Sequence, residues 1–272
     1  MLMQRVLTAV LLIPPVIAAV WFLPTFGIAL LVGGVFLVGA WEWTQLARLG
    51  SMNLRAAYVV LVALVLAGLF MSWRDGRVQQ VVLLLAAAWW LLALIWVMRY
   101  PKGLDNARRP LLGAGVGAML LGPAFLALVA LHGRPQGPLW ILFLLVLIWA
   151  ADTGAYFAGR GFGKHKLAAR VSPAKTWEGV AGGLLLSLLV TALAGILLFH
   201  LESLKLALFL LLCSVVVAFS VVGDLTESMF KRQAGVKDSG TLFPGHGGVL
   251  DRLDSLLAAA PLFLGGLLAI GI

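Results

Sequence analysis

The chain has 272 residues, of which 62% are hydrophobic and only 11% charged, with a formal net charge of +9. A soluble domain carries about a quarter charged residues, so this composition excludes an ordinary water-soluble globule and predicts a protein embedded in lipid. The basic surplus does not point to nucleic acid, because Lys and Arg fall in short stretches beside apolar runs, where anionic head groups are the matching partner.

The apolar runs follow one another along the whole chain: 6–23, 27–46, 56–71, 81–98, 111–131, 139–158, 180–199, 204–223 and 256–270. Crossing a bilayer takes about 20 apolar residues. Most runs meet that length, and those at 56–71 and 256–270 need residues from their flanks. The fold class predicted is all-α, a polytopic membrane protein with about nine transmembrane helices. The first run follows Arg5 as a signal peptide would. It lacks a small-residue cleavage site and continues through Pro14-Pro15 to Trp21, which predicts a retained, kinked helix.

With nine spans, sixteen of the twenty Lys and Arg residues fall on the side of the N-terminus. The positive-inside rule makes that side cytoplasmic. The N-terminus is therefore expected to be cytoplasmic. The single cysteine, Cys213, lies mid-run and excludes an internal disulfide.

The halves differ. Residues 1–138 hold only three acids, Glu42, Asp75 and Asp105, and read as scaffold. Residues 139–272 hold the other eight and two polar loops, 159–179 and 224–250, and read as the catalytic region. Glu42, between Trp41 and Trp43, reads as a carboxylate reaching the interface between aromatic anchors, with a catalytic role as the alternative. Gly113, Gly115, Gly117 and Gly182-Gly183 read as sites of close helix packing.

The densest polar stretch begins at Asp224, which closes one span, and leads to Asp251, which opens the next. Antiparallel spans would bring these two carboxylates to one membrane face. Asp224, Glu227, Ser228 and Lys231 share a helical face at i, i+3, i+4, i+7 spacing, and Asp251, Asp254 and Ser255 share another. Two carboxylates from facing helix ends suit Mg²⁺, which takes one or two and fills its octahedron with water and phosphate oxygens. The alternative is a salt-bridged collar joining Asp251 and Asp254 to Arg252 or Lys231. Between the acids, Phe243-Pro244-Gly245-His246-Gly247-Gly248 precedes a helix start, and its open N–H groups would accept a phosphate. Lys231, Arg232, Lys237 and Arg252 add charge against a triphosphate or a lipid phosphate.

The earlier loop carries Asp152-Thr153-Gly154-Ala155-Tyr156, then glycines around Arg160 and Lys164, then Ser172-Pro173-Ala174-Lys175-Thr176-Trp177-Glu178. It fails the Walker pattern at Ala158 and His165, and no strand is expected there. Placed on the same membrane face as the acids, it makes a plausible wall for an anion. His132 and His200 fall at helix ends on the far side, and no histidine pair has metal-ligand spacing.

From Ser228 to Asp254 the chain reads S-x-F-K-R-x4-K-D-S-G-x-L-F-P-G-H-G-G-x-x-D-R-L-D. This resembles the signature of the phosphatidate cytidylyltransferase family. The stretches D-T-G-A-Y-F-x-G-R-x-F-G-K-H-K-L and S-P-x-K-T-W-E-G also resemble that family, while Ala169 stands where relatives often carry proline. The resemblance implies transfer of CMP from CTP to phosphatidic acid with Mg²⁺, giving CDP-diacylglycerol and pyrophosphate. It also implies a homodimer. On this reading Asp224 and Asp251 hold the metal, and Asp152, Asp238 and Asp254 make outer contacts or hold a second cation. Lys175, Ser172 and Thr176 hold nucleotide phosphates, with Glu178 orienting them. Lys231, Arg232 and Arg252 hold phosphatidate or stabilise the transition state. Ser228, Lys237, His246, Gly247 and Gly248 complete the expected substrate contacts. Competing readings are a CTP-dependent lipid kinase, a CDP-alcohol phosphotransferase (whose aspartate spacing differs) and an ion-coupled transporter.

Overall fold

The computed structural model describes residues 13–102, 109–242 and 247–272. The expected contacts of His246 therefore lie outside the described residues. Among those residues, eight helices are long and apolar enough to cross a membrane: α2 (Thr25–Leu46), α3 (Met52–Met71), α4 (Gly76–Arg99), α5 (Pro110–His132), α6 (Gly137–Phe162), α7 (Trp177–Leu197), α8 (Ser203–Ala234) and α9 (Leu250–Ile270). A shorter apolar helix, α1 (Ile13–Phe22), covers the described part of the first run. The protein is an all-α polytopic membrane protein.

The two short runs gain length from polar flanks. Helix α3 starts at Met52, where the Ser51 hydroxyl accepts the Leu54 N–H at 3.2 Å and satisfies one of the four amide donors that a helix start leaves open. Helix α9 starts six residues before its apolar run and so takes in Asp251, Arg252 and Asp254.

Two expectations about the polar loops are corrected. Helix α8 continues beyond its apolar run, as the shared face of Asp224 to Lys231 implies, and extends to Ala234, because backbone hydrogen bonding does not end where hydropathy does. It closes in a Schellman motif: Gly235 has φ +75, its N–H reaches Arg232 O, and the Val236 N–H reaches Lys231 O. The loop is therefore 235–249. Likewise α6 runs through Gly159, Arg160 and Gly161 to Phe162. The segment beyond α6 was expected to hold no strand, yet it forms a small sheet. β1 (Lys166–Ala168) pairs antiparallel with β2 (Ser172–Thr176), Lys166 opposite Thr176 and Ala168 opposite Ser172. The turn between them is tied by Val171 N–H to Ala168 O at 3.0 Å. Pro173 is tolerated in so small a sheet, which is all edge.

The chain forms two compact units. One draws on Met1–Gln79, Asp105–Leu142 and Phe230–Leu253. In it α2 packs on α3 and α5, and α5 is buried without a break from Leu120 to His132. Small residues permit this close approach. A Cβ on Gly117 would overlap Trp43 and the Tyr58 hydroxyl, and the Trp43 indole N–H donates to Gly113 O at 2.8 Å. Trp43 also stacks on Phe230 with ring centres 4.7 Å apart. His132 is structural here, its ring nitrogens 3.1 Å from Thr25 Oγ1 and 3.1 Å from Val20 O.

The other unit draws on Gln80–Leu104, Phe143–Met229 and Asp254–Ile272. Phe143 lies at the centre of an aromatic cluster with Phe199, Phe209 and Phe263, its ring centre 5.2–5.7 Å from each of theirs. Helices α6 and α7 cross with almost nothing between their backbones. A Cβ on Gly154 would strike the Gly182 carbonyl, and one on Gly183 would strike Ala151 O. The expected packing role of Gly182-Gly183 is what the fold uses.

Candidate active site

In the second unit the close crossing of α6 and α7 leaves a cavity of about 410 Å³ above it, walled by α6, α7, α8 and strand β2. Asp152, Tyr156 and Arg160 line it from α6, Lys175 and Thr176 from β2, and Asp224 from α8. Lys175 Nζ lies 2.6 Å from Asp224 Oδ2, while the Ser228 hydroxyl donates to Asp224 Oδ1 at 3.2 Å. Both partners stay wet, the Lys175 side chain 25% and that of Asp224 28% exposed. A cation and a carboxylate are thus paired inside an open, polar-lipped hollow, each with one strong partner and access to solvent.

Strand β2 delivers Lys175 because both its ends are fastened. Thr176 ends the strand and caps α7, its hydroxyl oxygen accepting the Gly179 N–H at 3.1 Å. Glu178, in the first turn of α7, accepts from His165 Nδ1 at 2.6 Å and from the His165 N–H. Thr176 is buried, and its oxygen serves the helix cap; Glu178 holds the hairpin against α7. Ser172 pairs opposite Ala168 in the sheet.

In the first unit a second polar cluster forms around Asp251. Its Oδ1 accepts Lys231 Nζ at 2.5 Å. Its Oδ2 accepts the Ser239 N–H at 2.9 Å, the Ser239 hydroxyl at 2.9 Å and the Gly248 N–H at 2.8 Å. Here the salt-bridged alternative for Asp251 holds with Lys231, whose side chain is 12% exposed against 8% for Asp251.

The amides expected to await a phosphate at the start of α9 are already taken. The Gly248 N–H goes to Asp251, while the Val249 and Leu250 N–H groups donate to Glu42 Oε1 and Oε2, each at 2.9 Å. The helix dipole does attract an anion there, and the protein supplies it. This corrects the reading of Gly248 as an open anion site, and equally that of Glu42 as an interface carboxylate, since Glu42 is only 7% exposed. The glycines serve closeness instead: a Cβ on Gly247 would overlap Asp251, and one on Gly240 or Gly248 would overlap Glu42. Gly247 in addition needs its positive φ of 79.

Of the remaining expected residues, Arg232, Lys237, Asp238 and Arg252 are exposed. Asp254 Oδ1 accepts the Ser255 N–H at 2.7 Å. Glu42 is the member of the Asp251 cluster whose place the preferred sequence reading missed. The available signal was an acid within an apolar helix, which is costly and seldom idle.

A model of the cytidylyltransferase family matches residues 3–268. The chain belongs to that family. Among its curated relatives, a phosphatidate cytidylyltransferase of Pseudomonas aeruginosa is 46% identical, covering 100% of this chain and 98% of its own length. One from Haemophilus influenzae is 43% identical over 97% of both chains, and one from Brucella suis is 36% identical over 96% of this chain and 91% of its own. The resemblance seen over residues 152–254 thus extends across the whole cytidylyltransferase chain, the N-terminal helices included.

Proposed function

We propose that this chain transfers CMP from CTP to phosphatidic acid, forming CDP-diacylglycerol and pyrophosphate for phospholipid synthesis. Membership of the cytidylyltransferase family and the names of the full-length relatives support the reaction. The observation that carries the site is the Lys175–Asp224 pair inside the α6–α7–α8 cavity.

In the reaction a phosphatidate oxygen attacks the α-phosphorus of CTP, a new P–O bond forms, and the bond to the β-phosphate breaks to release pyrophosphate. Such transfers depend on positioning and charge neutralisation more than on a protein nucleophile. Lys175 supplies a cation to the nucleotide phosphates, leaving Asp224 as it does so. Arg160, at the rim, holds its place through Tyr156, whose hydroxyl accepts its Nη1 at 3.0 Å. Lys231, Arg232 and Arg252 remain the candidates for the lipid phosphate.

Mg²⁺ fits this donor set. Among the described residues no three His, Cys, Asp or Glu side chains gather as a metal cage, and Mg²⁺ requires none, since it takes one or two carboxylates with water and phosphate oxygens. Asp224, solvent-accessible and released by Lys175, would hold it; Asp251, the other carboxylate expected from the sequence, belongs to the other compact unit. The ion would neutralise phosphate charge as the P–O bonds exchange. A cytoplasmic N-terminus in a bacterial inner membrane belongs to the same reading, supported by the distribution of sixteen of the twenty basic residues. A homodimer, implied by the family resemblance, belongs to it as well.

The test is product formation by purified protein in detergent from phosphatidic acid and labelled CTP, with Mg²⁺ and then with excess chelator. Labelled CDP-diacylglycerol that disappears with chelator and returns with Mg²⁺ is the expected result. No product from folded protein with accessible substrates would sink the proposal.

A further inference from the structure

Glu42 is a buried carboxylate on an apolar helix, more than two hundred residues from the backbone amides it binds. Its three donors are the Val249 and Leu250 N–H groups at 2.9 Å each and the Ser239 hydroxyl at 3.1 Å. Two of these are the opening amides of α9, the helix that carries Asp251. The third belongs to the residue that also gives Asp251 both its backbone N–H and its hydroxyl. Ser239 is itself buried and lies between the two carboxylates.

From this geometry we infer that Glu42 is a positioning residue for the transfer reaction, fixing the Asp251 carboxylate through Ser239 and the first turn of α9. The inference rests on the proposed function, in which Asp251 is one of the reacting site's carboxylates. Three observations carry it. Glu42 anchors α9 one and two residues before Asp251, so a shift at Glu42 turns or lifts that carboxylate. The loop is moulded to the pair, with no room for a side chain at Gly240 or Gly248 beside Glu42, nor at Gly247 beside Asp251. A hydroxyl has one proton to donate, and Ser239 reaches both carboxylates, so the position of the Glu42 side chain bears on whether Asp251 Oδ2 receives that proton.

A simple cap for α9 would explain the amide contacts. It would not predict a kinetic effect in molecules that remain folded. Glu42→Gln separates the two, because the amide side chain keeps its size but presents an NH₂ group to one of three donors. The measurement is kcat and KM per folded molecule, with folded protein quantified by size exclusion in detergent. Amide exchange at Val249 and Leu250 is followed in parallel. We expect faster exchange at both amides and a kcat lower by about 10- to 100-fold, the usual cost of losing an outer support of a site carboxylate. KM for CTP and for phosphatidate should stay within about threefold of wild type, and Ser239→Ala should cost less in the Glu42→Gln background than alone. A kcat per folded molecule within about threefold of wild type, or full additivity of the two variants, overturns the inference. If Glu42→Gln yields no folded protein, Glu42→Asp replaces it, keeping the charge but drawing it back from the α9 amides: a lowered kcat at unchanged KM supports the link, and a wild-type kcat removes it. An inactive wild type would instead remove the proposed function, while the exchange data would still report whether Glu42 holds α9.

Discussion

The two aspartates expected to do the chemistry are held in opposite ways. Asp251 receives Lys231 Nζ and the Ser239 and Gly248 N–H groups, with the Ser239 hydroxyl shared between it and Glu42, and its side chain is 8% exposed. Asp224 has Lys175 at 2.6 Å and a long bond from Ser228, and its side chain is 28% exposed beside an open cavity. A carboxylate ringed by fixed donors has its geometry set before any ligand arrives. One balanced by a single flexible lysine can exchange that partner for a ligand. The difference separates an expected catalytic carboxylate that is preorganised from one whose partner a ligand can replace.

Substitutions at the two places should therefore fail differently. The largest effect is expected for Asp251→Asn, which leaves Lys231 without its charge partner. Turnover should be lost, and stability should fall by about 3 kcal/mol, the cost of breaking a buried ion pair. Thermal unfolding in detergent alongside the CDP-diacylglycerol assay measures both, and substantial activity would remove Asp251 from the site. Next, Gly154→Val forces a branched side chain into the backbone contact between α6 and α7. Overpacking costs about 1–3 kcal/mol, and nucleotide binding should fall with it, because the cavity rests on that crossing. Lys175→Ala comes third and sharpens the contrast most. Its ion pair is too exposed to add more than about 1 kcal/mol to stability, so the unfolding midpoint should barely move. KM for CTP should rise about tenfold, in keeping with a lost charge-assisted hydrogen bond, and more than KM for phosphatidate. The reverse order would reassign Lys175 to the lipid. The smallest effect belongs to Thr176→Ala, which removes the α7 cap at about 1 kcal/mol. Thr176→Ser should restore it.

How much could be read in the sequence depends on which interactions are local. The long apolar runs predicted the membrane helices, since length and hydropathy are properties of a contiguous segment. The Gly182-Gly183 contact was legible for a similar reason, because a glycine pair in an apolar helix has few uses but close approach. The Lys231–Asp251 bridge appeared only as one alternative, since several cations lay within reach. The hairpin at 166–176 was missed because its strands are three and five residues long and one contains proline, so no alternation could announce it. Glu42 was misread because its partners lie 197 to 208 positions away. The pattern Gly-Gly before a helix start says that an anion belongs there, but it cannot say whether that anion is a substrate or a side chain.

The length of α8 adds a constraint of height. From Ser203, where the helix starts, to Asp224 is about 32 Å at a helical rise of about 1.5 Å per residue. The hydrocarbon layer of a bilayer is about 30 Å thick. A helix that starts at one edge of that layer and runs straight across it would reach the other edge at Asp224, beside the head-group region. The last ten residues, to Ala234, would then stand beyond the hydrocarbon. On the proposed function such a helix would act as a gauge, setting the carboxylate at the height where a membrane-bound substrate presents its head group.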